Sequence, residues 1–299
     1  MSGLSGSAAP RPDPDRVPSL VLLFSATLWG LSWWPMQQLA ALGVQGPALT
    51  LMAYGGVGVV GLPLLWRERG AWWRKPGQLL LIALLGGWAA ASFVVAMTQG
   101  DVVREMLLFY LAPAWSVLGG RFLLKEHLGR RRLFAVALAM TGAYLVIRAG
   151  GGGGFGGSPA ITGADLMALS ASITFAGNNL VMRAASRIPV ASKAIAQMLG
   201  CGAISAALLA GTGIDLPTLS GAAALGVLAF ALVWIIGGST TTAYGMSHLE
   251  AGRAAIIILA ELVAAVASAS LIKGRMPSAL EVAGGSLILA AAALDVIDS

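Results

Sequence analysis

Apolar and polar positions along this chain fall into long blocks rather than a fine alternation. Runs of about 20 apolar residues, enough to cross a bilayer as a helix, are separated by short polar connections. The pattern predicts ten such helices, at roughly 18–40, 46–66, 79–99, 103–124, 132–148, 164–185, 191–211, 222–246, 254–272 and 279–297. The connections leave no room for an extramembrane domain. The expected fold class is therefore an all-α polytopic membrane protein.

One short polar pattern is written twice. Residues 97–104 read MTQGDVVR and residues 246–253 read MSHLEAGR, with Met97, Thr98, Asp101 and Arg104 matching Met246, Ser247, Glu250 and Arg253. Each copy lies between two long apolar runs. The chain thus reads as a duplication, an architecture that recurs in carriers whose substrate site forms where the halves meet. The predicted division is a disordered tail at 1–17, a five-helix repeat at 18–148, a Gly-rich linker at 149–163 and a second five-helix repeat at 164–299. Five is odd, so the second repeat enters the membrane inverted relative to the first. The linker's GGGGGFGG at 150–157 has no Gly-Lys-Ser/Thr ending and is read as a flexible connection, not a phosphate loop.

Charge sets the orientation. With the amino terminus inside, 15 of the 19 lysines and arginines fall on the inner side, which places both termini in the cytoplasm. The bias fades in the second half, as opposed repeats would require. Only 11% of the 299 residues are charged, against 57% hydrophobic, and the mean hydropathy is +0.81. A soluble domain carries about 25% charged residues, so most of this chain must face lipid. No soluble face exists to hold a basic nucleic-acid patch. The single cysteine, Cys201, rules out an internal disulfide or a multi-cysteine metal site. No cofactor or metal is expected; the partners are the lipid bilayer and a small-molecule substrate, with the chain a monomer or weak homo-oligomer. Gly55, Gly56, Gly58 and Gly61 form a small-residue stretch suited to close helix approach.

Three features resemble the drug/metabolite transporter superfamily in its ten-helix form with two EamA-type repeats. These are Trp29-Gly30 in helix one, Pro113 in helix four with Glu126 thirteen residues on, and Leu-Ala-Glu-Leu at 259–262 in helix nine. The chain departs from the family pattern at Leu262, where a proline commonly stands, and at Arg275, where a second copy of Glu126 would fall. Within the superfamily the chain looks most like the amino-acid and metabolite exporters, including the aromatic amino-acid (YddG-like) branch. The resemblance implies export of a small organic solute across a bacterial inner membrane. It also implies a central cavity ringed by helices one, three, four, six, eight and nine, with five and ten at the periphery.

Several polar and aromatic residues interrupt the apolar runs. Glu261 lies near the middle of helix nine, where an ionised carboxylate costs about 2.5 kcal/mol or more. It either serves a substrate ammonium or a proton, or locks helix packing. Tyr110 and Pro113 share helix four; the proline opens a kink and the tyrosine offers a ring and a hydroxyl. Trp29 and Trp88 are candidates for the cavity by depth. Trp33 shares a face with Trp29 but sits nearer the outer end, where it reads equally as a belt residue beside Trp34. Asn178 and Asn179 interrupt helix six, and Ser239 with Thr240, Thr241 and Thr242 interrupts helix eight. Each satisfies itself either in a polar cavity or against a neighbouring helix. Asp101 with Arg104 and Glu250 with Arg253 form candidate gating pairs, or plain interfacial charges. The alternative from another class is an intramembrane enzyme acting on a lipid or hydrophobic substrate. His127 and His248 lie outside any metal pattern, and Ser247 beside His248 does not by itself make a nucleophile and base.

Overall fold

The structure is a computed structural model describing residues 15–123, 130–149, 161–213, 215–274 and 276–297. The predicted tail before residue 15, the GGGGGFGG stretch, Glu126, His127 and Arg275 lie outside the described residues. Helical segments group into rods labelled α1 (Arg16–Ala41), α2 (Pro47–Arg67), α3 (Pro76–Gln99) and α4 (Val102–Arg121), then α5 (Arg130–Ala149) and α6 (Gly163–Ala184). They continue as α7 (Val190–Thr212), α8 (Gly221–His248), α9 (Gly252–Lys273) and α10 (Ala279–Ile297). The expected ranges agree with these to within about three residues. No strand occurs among the described residues. Seven of the rods, all but α5, α6 and α10, are long and apolar enough throughout to cross a membrane.

Packing follows one order: α3 touches α6, α6 touches α4, α4 touches α9, α9 touches α1, and α1 touches α8. The α2–α7 pair bridges α8 and α3, while the α5–α10 pair flanks α4 and α9. Exchanging each rod for the one five places later turns 3-6-4-9-1-8 into 8-1-9-4-6-3, the same sequence reversed. The two self-related pairs cross at glycines. A methyl group on Gly142 of α5 would lie 2.6 Å from the Gly284 carbonyl oxygen of α10, and one on Gly284 would lie 2.6 Å from the Gly142 carbonyl oxygen. Gly55 of α2 and Gly202 of α7 meet in the same mutual way. Any side chain would hold these backbones apart. Gly58 and Gly61 continue the α2 contact onto Leu199 and Ile195, whereas Gly56 faces open space.

Two rods break at matching places. In α4 an eight-residue helix, Val102–Phe109, ends at Tyr110 before a second begins at Ala112. Pro113 explains this, because it has no N–H to offer the Phe109 carbonyl. In α9 an eight-residue helix, Ala251–Ile258, ends at Leu259 before the next begins at Ala260. Leu259 lies 149 positions after Tyr110, the spacing of the repeated MTQGDVVR and MSHLEAGR patterns. Here no proline is present. Instead the Tyr110 hydroxyl donates to the Ile258 carbonyl at 3.4 Å, giving that oxygen a partner outside its own helix.

Candidate functional site

The α4 and α9 breaks meet. Tyr110 is buried, and the Glu261 carboxyl lies against its hydroxyl. Glu261 is half-buried, and its carbonyl is packed so closely on Gly30 of α1 that a side chain there would collide with it. Phe109, next along α4, joins Phe93 of α3 at 4.7 Å and Phe175 of α6 at 5.4 Å between ring centroids. This aromatic cluster was not anticipated from the sequence, because its members lie on three rods.

Helix α1 carries a second group. Trp29 donates to the Thr242 hydroxyl at 3.2 Å, and its ring rests on Gly238 of α8. Ser25 reaches the same Thr242 at 2.6 Å and donates to the Gly238 carbonyl at 3.1 Å. Trp234 of α8 returns a bond to the Leu28 carbonyl at 2.8 Å. On the other side of the bundle Trp88 of α3 donates to Ser170 of α6 at 3.2 Å. Trp88 and Trp234 are thus counterparts across the exchange of halves. Trp115 adds a bond from α4 to Ser172 of α6 at 3.0 Å, another contact not foreseen.

Other candidates turn to helix packing. Trp33 is buried at 2% exposure and donates to Ser268 of α9 at 2.9 Å, with Lys273 5.3 Å from its ring centroid. That corrects its reading as a belt residue; Trp34, 45% exposed, fits one. Asn178 donates to Gln197 of α7 at 3.3 Å, while Asn179 on the adjacent face and Ser239 are half-buried. Thr240 and Thr241 donate to carbonyls of their own helix. The nine candidates therefore do not converge on one point: Glu261, Tyr110, Pro113, Trp29, Trp33 and Ser239 belong to the α1–α4–α8–α9 side, and Trp88, Asn178 and Asn179 to the α3–α6 side.

The repeated arginines are placed more tellingly. Asp101 caps α4 by accepting the Arg104 backbone N–H at 3.2 Å. The Arg104 guanidinium reaches sideways to Asp165 of α6, with Nε 2.5 Å from Oδ1 and Nη2 2.6 Å from Oδ2. Asp165 also accepts the Thr162 N–H at 2.6 Å in a capping box that starts α6. In the second copy Glu250 precedes α9, and Arg253 pairs with Asp15, just before α1, at 2.9 Å. Arg253 lies 149 positions after Arg104, and Asp165 lies 150 after Asp15. The two ion pairs are counterparts, and each joins one half to the other. They sit at opposite ends of the bundle: Glu281 at the start of α10 shares a cavity with Arg104, so α9 (Gly252–Lys273) reaches that end at Lys273, and its helical rise carries Arg253 about 30 Å away. Side-chain exposure is 7% and 0% for Arg104 and Asp165 but 44% and 43% for Arg253 and Asp15.

Above the buried pair opens a cavity of about 550 Å³, lined by Gln99, Asp101, Arg104, Glu105, Thr162 and Glu281 among others. It lies at the end of the bundle rather than at the level of Glu261. Asp165 and Glu105 went unnoticed in the sequence, although Thr162-x-x-Asp165 ahead of an apolar run is a readable capping signal.

The EamA-like transporter family matches the chain twice, over residues 17–148 and 162–296. The chain belongs to the EamA-like transporter family. It is accordingly a multi-pass membrane protein, and its apolar rods are membrane-spanning. A curated relative, "Uncharacterized transporter PA0485" of Pseudomonas aeruginosa, is 34% identical over 88 residues, 27% of this chain and 29% of that protein. The match thus spans under a third of the length of that relative. A solved crystal structure superposes with a TM-score of 0.59 at 21% identity, covering 93% of this chain and 96% of the other, and shares its fold.

Proposed function

We propose that this EamA-family protein is an inner-membrane carrier that exports small organic metabolites, foremost amino acids, by alternating access. In this reading α1–α10 all cross the bilayer as two inverted five-helix repeats, with both termini in the cytoplasm and the α3–α4 end outside. The observation that carries it is the pair of counterpart ion pairs. Arg104–Asp165 and Arg253–Asp15 each tie one repeat to the other, at opposite ends, one sealed and one open to solvent. A carrier needs such an arrangement: a closure that holds at one face while its twin loosens at the other. Glu261, Tyr110 and Trp29, set between those ends on α9, α4 and α1, form the proposed substrate contact, with the carboxylate receiving an ammonium and the rings a side chain.

Among the described residues the geometry gives the enzymatic alternative no support. His248 Nδ1 lies 2.8 Å from the Tyr244 carbonyl and 3.0 Å from the Ser247 hydroxyl. A carbonyl can only accept, so that nitrogen carries the hydrogen and is not a base toward Ser247.

Efflux of labelled amino acids, aromatic ones included, from proteoliposomes tests the proposal. Wild type should release them, and Glu261→Gln should lose at least about tenfold in rate, the span of an ordinary coupling energy. No efflux of any of them from well-reconstituted protein would overturn the exporter reading.

A further inference from the structure

Beside the Arg104–Asp165 pair lies an acid that the proposed carrier mechanism has not yet used. Glu105 is 1% exposed, and its Oε2 has no accessible surface and no hydrogen-bond partner. Its carboxyl is within hydrogen-bonding reach of Asp165, and the charged groups facing it are Asp165 of α6 with Arg104 and Asp101 of its own helix. Glu281 of α10 lines the same cavity.

The hydrogen-bond inventory points to what fills the gap. A carboxylate oxygen accepts about two hydrogen bonds. Asp165 Oδ2 already receives Arg104 Nη2 and the Thr162 N–H, while Oδ1 receives only Arg104 Nε. One acceptor position on Asp165 therefore remains open in a cluster that also holds the orphaned Glu105 oxygen. With both acids ionised, Arg104, Asp165 and Glu105 would carry two negative charges against one positive, an imbalance that one bound proton removes. A hydrated cation has no room at an atom with no accessible surface. A proton needs none.

We propose that Glu105 and Asp165 form a proton-binding site at the α3–α4 end, in which one proton held on Glu105 is donated to Asp165 Oδ1 while the Arg104–Asp165 pair is closed. The proton comes from water in the 550 Å³ cavity and converts the Glu105 carboxylate to the acid. When α6 carries Asp165 away from α4, Arg104 loses its partner and stands beside Glu105. The proton then returns to cavity water, and the carboxylate is left facing the guanidinium. Closing the gate takes up one proton; opening it releases one. Use of this site in transport rests on the carrier reading above, but proton binding itself does not.

Infrared spectroscopy of the protein in lipid, near neutral pH, reads the site without any substrate. Wild type should show the carbonyl stretch of an un-ionised carboxylic acid, and Glu105→Gln should remove it. Glu261→Gln, measured alongside, separates out any contribution from that residue. If Glu105→Gln does not fold, Glu105→Asp keeps an acid and should shift the band. A band that neither Glu105 variant alters, or none in wild type, overturns the proposal. In proteoliposomes loaded with labelled amino acids, acidifying the bath at the α3–α4 face should slow efflux in wild type, because the proton favours the closed pair, and should leave efflux unchanged in Glu105→Gln. An equal response to bath acidity in wild type and Glu105→Gln overturns the gating role. If wild type moves none of the amino acids, the carrier reading fails while the infrared result still decides the proton site.

Discussion

Removing Asp165 should cost far more stability than removing Asp15, although the two residues occupy counterpart positions. Asp165→Ala removes the two hydrogen bonds that Asp165 accepts from a guanidinium that is 7% exposed. Breaking a buried pair from one side costs about 3–5 kcal/mol, because the remaining charge loses its bidentate carboxylate in a poorly hydrated place. The same substitution removes the carboxylate that accepts the Thr162 N–H at the start of α6, a capping contribution of about 1 kcal/mol. The expected total is about 4–6 kcal/mol. Asp15→Ala breaks a pair whose side chains are 44% and 43% exposed; water replaces what is lost, and the expected change is about 0–1 kcal/mol. Reversible denaturant unfolding in mixed micelles measures both. A double-mutant cycle sharpens the comparison: Arg104→Ala placed on Asp165→Ala should recover part of the loss, since it removes the stranded charge. Equal costs for the two aspartates, or a double variant as unstable as the sum of its singles, would refute the claim that one pair is sealed and the other open.

Two further perturbations test the packing around the site. Gly200→Ala drives a methyl group into the Ala83 backbone where α7 crosses α3, and should destabilise by about 1–3 kcal/mol; Gly56→Ala, which meets nothing, should be neutral or stabilising by up to about 1 kcal/mol. Unfolding midpoints of the pair distinguish a tight α3–α7 crossing from one with slack. Tyr110→Phe deprives the Ile258 carbonyl of its partner in α4 and should cost about 1–3 kcal/mol. Faster amide hydrogen exchange around residues 258–262 should accompany it, and unchanged exchange there would show that the α9 break does not depend on Tyr110.

The helix positions were legible in the sequence because run length and the flanking charges are local properties that the bilayer reads directly. The matched breaks in α4 and α9 were half legible: Pro113 announces the first, but Leu262 hides the second, whose partner is a tyrosine on another rod. What local reading could not supply was the partner of Arg104. Three residues earlier stands Asp101, an obvious mate on a helix surface, yet Asp101 occupies the N-cap and its carboxylate accepts the Arg104 backbone N–H. The guanidinium is left pointing across to a residue 61 positions away. Only the packing order 3-6-4-9-1-8 brings the start of α6 beside the start of α4, and by exchange the start of α1 beside the start of α9. That order also constrains how the halves can move. Each ion pair bridges the repeats at one end, so in the proposed alternating access a tilt of one repeat against the other would hold one pair while parting its twin. Both pairs are made in this structure, one with side chains 7% and 0% exposed and the other 44% and 43% exposed.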